Sequence, residues 1–157
     1  MSKFLSLFRC SRPSSDGVSP FHDPRPGLFP SVVKASRKFH LWAKTDEVPD
    51  AGTRLLIGVA TWSRYDMDFL DIIEEVEFGP ICIDVFDIDQ IQSIADLHEF
   101  FPHASPISQS PIVGLWSNGY FVEFAHGHFG REIVARACGI DKALMEARLL
   151  ATFNTRK

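Results

Sequence analysis

Apolar residues fall in two rhythms along this chain. Residues 54–61 hold an almost unbroken apolar run, Leu55-Leu56-Ile57-Gly58-Val59-Ala60, the pattern of a central strand covered on both faces. Over 64–77 the rhythm becomes helical. Met67, Leu70, Ile73 and Val76 recur at three-residue steps with Asp68, Asp71, Glu74 and Glu75 between them, which predicts a helix with one apolar stripe and an acidic face. Gly79-Pro80 ends it. Residues 81–88 predict a second buried strand, and 93–101 a helix capped by Ser93 and stopped by Pro102. The runs 111–116 and 120–124 flank Ser117-Asn118-Gly119, and Asn-Gly between apolar runs predicts a β-hairpin. Residues 131–138 read as a helix with Gly139 just beyond it, and Asp141 caps a second helical piece to about Thr152. Ahead of these, Val32, Val33 and Ala35 suggest a short helix over 31–38, and 38–43 a first strand. The order is that of an α/β domain closed by a hairpin and helices.

Composition adds boundaries and exclusions. Residues 11–30 carry Pro13, Pro20, Pro24, Pro26 and Pro30 among serines and glycines, a mixture that favours extended backbone. The chain therefore divides into a Pro/Ser-rich, flexible N-terminal arm over 1–30 and a domain over 31–157. A net charge of -4 argues against a nucleic-acid partner, which would call for a clustered basic excess. The apolar runs are strand-length, far short of the roughly 18–20 residues of a membrane span, so none is expected. Phe4-Leu5-Ser6-Leu7-Phe8 is too short for a secretory leader, whose apolar centre runs to about 7–15 residues. Cys10, Cys82 and Cys138 form no Cys-x-x-Cys unit, which points to the reducing cytoplasm. Cys82 and Cys138 are expected to be small buried hydrophobes.

The most informative segment is Trp62-Ser63-Arg64-Tyr65-Asp66, where the central strand runs into a helix. With the β-α-β unit, the following helix, the Ser110-Pro111-Ile112 step, the Asn118-Gly119 turn and Gly127, it resembles the thioredoxin family over residues 38–139. The resemblance implies a three-layer α/β/α fold with a mixed sheet, a cis proline at Pro111 facing the turn, and a C-terminal β-hairpin plus helix. It also implies a loss. Aligning Trp62 with the family's tryptophan puts Ser63 and Asp66 where the two thiols would stand, and Ile57 where a buried acid would be. Thiol exchange needs one thiolate to attack and a second to resolve the mixed disulfide, so dithiol oxidoreductase activity is not expected.

Ser63 and Asp66 can be read as a helix-capping pair with no further role. The functional alternative keeps Trp62, Ser63, Arg64, Tyr65, Asp66, Ser110 and Pro111 as a surface that binds a protein, aromatic and arginine side chains being frequent anchors of interfaces. This gives a redox-inactive, protein-binding chain, an adaptor or chaperone-like subunit. A second reading is a thiol-based redox sensor or glutathione-linked enzyme using Cys82 or Cys138 alone. His98, His103, His126 and His128 match no zinc-ligand spacing, and Asp84, Asp87 and Asp89 match no calcium loop and read as strand-end caps. No metal site, nucleotide cradle or other cofactor is expected. Ala143, Leu144, Ala147, Leu150 and Ala151 lie at helical spacing and either pack onto the domain or form a homodimer face.

Overall fold

The computed structural model describes residues 38–41 and 51–155, and the reading of 1–30 as an arm, of 31–38 as a helix and of the strand beyond Leu41 falls largely or wholly outside them. Strands β1 (Phe39–Leu41), β2 (Thr53–Val59) and β3 (Ile81–Asp87) are followed by β4 (Ile112–Ser117) and β5 (Tyr120–His126). They make a five-stranded sheet in the order β1-β3-β2-β4-β5. β3 pairs parallel with β1 and β2, whereas β4 pairs antiparallel with β2 and β5. Among the described residues the α-helices are α1 (Arg64–Glu75), α2 (Ile94–Phe100), α3 (His128–Cys138) and α4 (Lys142–Thr155).

β2 is central, and Leu55, Leu56, Ile57 and Val59 are fully buried, as an apolar run covered on both faces requires. On one face Leu55, Ile57, Ile83, Val85 and Val113 lie beneath α1, α3 and α4: α3 packs on β4 and β5, and α4 on α1 and α3. The other face carries an aromatic layer. Phe86 of β3 stacks on Phe100 of α2 with centroids 4.4 Å apart, and Phe101 touches Trp116 and Phe124 at 6.0 and 4.8 Å.

Local chemistry sets most element ends. Ser63 and Ser93 cap α1 and α2 by accepting from Asp66 N and Asp96 N, and Asp141 accepts from Leu144 N at the start of α4. Gly139 closes α3 with φ of 70°, a conformation a Cβ disfavours.

Three expectations need correction. The buried side of α1 is broader than one stripe, because Phe69, Ile72 and even Asp68 are buried with Leu70 and Ile73; a helix under a sheet on one side and α4 on another needs more than a narrow seam. α3 begins at His128, three residues early, because Gly127 turns the chain at φ 62°, ψ -135°, leaving no side-chain cap to mark the start. Asp84 does not stand at a strand end: it is buried in mid-strand and bound to Arg54. Asp87 does cap, accepting from Asp89 N at 2.9 Å. Among the described residues no helix is long and apolar enough to cross a membrane.

Candidate functional site

β2 delivers the chain to a tight turn at the C-terminal end of the central strand. Ser63 N donates to Ala60 O at 2.9 Å and Met67 N to Ser63 O at 3.1 Å, so only the four residues 60–63 separate strand from helix. Ser63 Oγ accepts from Asp66 N at 3.3 Å, and the Asp66 carboxylate turns back to accept from Ala60 N at 2.8 Å. Serine and carboxylate are therefore both used inside the turn. What remains outside is Trp62, 69 % exposed, and Arg64, also exposed.

Ser110 and Pro111 flank the same turn. Their peptide bond is cis, and the Ser110 side chain hydrogen-bonds the Asp66 carboxyl. Pro111 O accepts from Gly127 N at 2.8 Å, which ties the β5–α3 junction to the site. Gly127 takes φ 62°, ψ -135°, a backbone conformation that side chains with a Cβ rarely adopt, so this junction calls for glycine. The structure thus brings together all seven sequence-predicted residues but divides them: Trp62 and Arg64 face out, Ser63, Tyr65 and Ser110 are half-buried, and Asp66 and Pro111 are buried.

Asp66 supplies a buried acid that Ile57 does not. Burial raises its carboxyl above the ordinary value, against the lowering effects of the Ala60 N–H, the Ser110 hydroxyl and the Arg131 charge. The folded chain therefore holds this proton at a pH where the unfolded chain has lost it. Asp66 contributes most stability below the ordinary carboxylate pKa, and the contribution falls as pH rises through the raised value. Asp66→Asn keeps an oxygen for Ala60 N and removes the charge. We expect it to raise the urea midpoint at about pH 7 and to flatten the pH dependence immediately above the carboxylate range. A midpoint lowered at neutral pH would mean that the ionised carboxylate is a net stabiliser of the turn.

Beneath the turn lies a network that the sequence reading missed. Arg131, 7 % exposed, stacks on the Tyr65 ring at 4.9 Å and donates through Nε and a terminal nitrogen to Glu146 at 2.9 and 3.4 Å. Tyr65 Oη lies 3.5 Å from Glu146, and His128 Nδ1 3.4 Å from it. Burial, reinforced by Glu146 and opposed by Arg131, raises the Tyr65 phenol. Helices α1, α3 and α4 are thereby joined under the exposed Trp62. The available signal was spacing: Arg131 shares the helical stripe of Val134, Ala135 and Cys138, all buried.

The thiols lie elsewhere. Cys138 is buried at the end of α3, and desolvation pushes its thiol up to about 11, so at neutral pH it is protonated and a poor nucleophile. Cys82 is half-buried in β3 and unbridged.

No family model matches the chain, and no curated protein does. Among solved structures it is similar to a mutant thioredoxin from Halobacterium salinarum NRC-1, at 15% identity over 64% of this chain and 88% of that one, with a TM-score of 0.40.

Proposed function

We propose that this chain is a cytoplasmic protein of thioredoxin-like fold that acts by binding another protein, as an adaptor or chaperone-like subunit, and not by dithiol exchange. The observation that carries the reading is the use of Ser63 and Asp66 as internal caps, with Trp62 and Arg64 left facing solvent beside the Ser110–Pro111 step. A turn built this way has no sulfur to offer, yet it presents an indole and a guanidinium on a rigid support, and such side chains supply much of the energy of protein interfaces. The network of Arg131, Tyr65 and Glu146 holds the support in place, which reduces the ordering cost of binding. The position of Cys138 and its raised thiol fit the same reading.

The test pairs two measurements. Full-length protein should catalyse no insulin reduction above the dithiothreitol background. Partners captured from lysate by the wild type should be lost with a Trp62→Ala, Arg64→Ala double variant, both side chains being exposed and their removal harmless to the core. Catalysed insulin reduction, or capture unchanged by the double variant, would overturn the assignment of this face.

A further inference from the structure

On the aromatic side of the sheet, His40 of β1 and Cys82 and Asp84 of β3 bring one donor atom each to within 4.8 Å of one another. Strand register builds the cluster. His40 is the direct partner of Asp84 in the parallel β1–β3 pair, and Cys82 precedes Asp84 by two residues, so all three side chains leave the same face. His40 Nδ1 is buried and has no hydrogen-bond partner among the described residues.

We propose that His40, Cys82 and Asp84 form a transition-metal site, with Zn2+ the ion that fits it. The donor set decides the class: an imidazole nitrogen, a thiolate and one carboxylate suit a borderline-soft ion, whereas Mg2+ and Ca2+ require a cage of oxygens. Size agrees. Tetrahedral zinc, with bonds of about 2.0–2.3 Å, holds its ligand atoms about 3.3–3.8 Å apart. Contraction from at most 4.8 Å is therefore no more than about 1–1.5 Å, within reach of side-chain torsions. Asp84 is already oriented: Arg54 Nε donates to its Oδ2 at 2.8 Å, and a carboxylate so held on one oxygen can ligate through the other, as metal-bound carboxylates commonly do. On binding, the Cys82 thiol releases its proton to solvent and the sulfur forms the bond to zinc. The thiolate and the carboxylate, the latter also paired with Arg54, supply the two anionic donors, and the neutral imidazole completes the protein's share. Three protein donors leave a fourth position for water or another small donor. The ion would tie β1, a three-residue edge strand, to the interior of the sheet.

Co2+ serves as the probe, added to full-length, reduced, chelator-treated protein. One equivalent should produce thiolate-to-cobalt charge-transfer absorption that Zn2+ abolishes by displacement. Cys82→Ser should remove that absorption, His40→Gln should weaken cobalt binding by about 100-fold, at the upper end of what disturbing a ligand's own partners does, and Cys138→Ser should change neither. Zn2+ should also raise the Tm of wild type and Cys138→Ser but not of Cys82→Ser. If a single variant unfolds, the other two decide. Absorption that survives Cys82→Ser, that is lost with Cys138→Ser, or that never appears at millimolar cobalt would overturn the proposal.

Discussion

Arg54→Met is expected to destabilise the fold by about 3–5 kcal/mol, the range for removing one member of a buried ion pair. Arg54 and Asp84 are 2 % and 1 % exposed, and Nε meets Oδ2 at 2.8 Å. The guanidinium also lies over the Trp116 ring, 5.1 Å from its centroid, so it bridges β3 and β4 across the central strand. Methionine keeps the volume of the stem, so the loss measures the Asp84 charge deprived of its guanidinium more than a cavity. Against a total stability of about 5–15 kcal/mol for an ordinary domain, that is about a fifth or more. Urea unfolding followed by circular dichroism, with chelator present, would give the value. The double variant Arg54→Met, Asp84→Leu should recover most of the loss, because a well-packed apolar pair needs no charge compensation. A single-variant loss below about 1 kcal/mol would place the pair among the weak, water-screened ones.

That pair also marks where sequence reading stops. Arg54 opens an apolar run and Asp84 sits inside another, and no local pattern connects them. They meet because β2 and β3 align in parallel, with Arg54 opposite Cys82 and Leu56 opposite Asp84. Parallel register depends on how the intervening helix packs, which is a property of the whole domain. The same holds for His40, whose proximity to Cys82 and Asp84 exists only once β1 lies against β3. What could be read were features made from neighbouring residues. Ser63, Ser93 and Asp141 announce helix starts because a short polar side chain can satisfy an amide two or three residues on, and all three do so. Asn118 and Gly119 tolerate positive φ, and they take 52° and 84° between β4 and β5. At the turn, the sequence named residues that lie together but not which way each faces. Trp62 stands out and Asp66 goes in, where its carboxylate accepts from Ala60 N.

Phe101→Ala should cost about 3–5 kcal/mol, as truncation of a buried phenylalanine usually does. Phe101 is fully buried and is the hub of the aromatic layer, with ring centroids 6.0 Å from Phe86, 6.4 Å from Phe100, 6.0 Å from Trp116 and 4.8 Å from Phe124. Its N–H to Leu97 O bond at the end of α2 survives the change, so the loss reports packing and not the helix end. Gly114 makes the argument sharper. A Cβ there would lie 2.5 Å from Phe101 Cδ1 and 2.6 Å from Trp116 Cζ3, so Gly114→Ala alone should cost about 1–3 kcal/mol through overpacking. In the Phe101→Ala background the added methyl enters the vacated space, and of its three nearest neighbours the two Phe101 atoms are gone and Trp116 Cζ3 stays. The double variant should therefore be more stable than the sum of the two losses predicts, by about 1 kcal/mol or more, within the range of coupling between touching residues. Strict additivity in urea unfolding would mean that the aromatic ring does not occupy the space above Gly114, and the packing of α2 on this sheet would have to be redrawn.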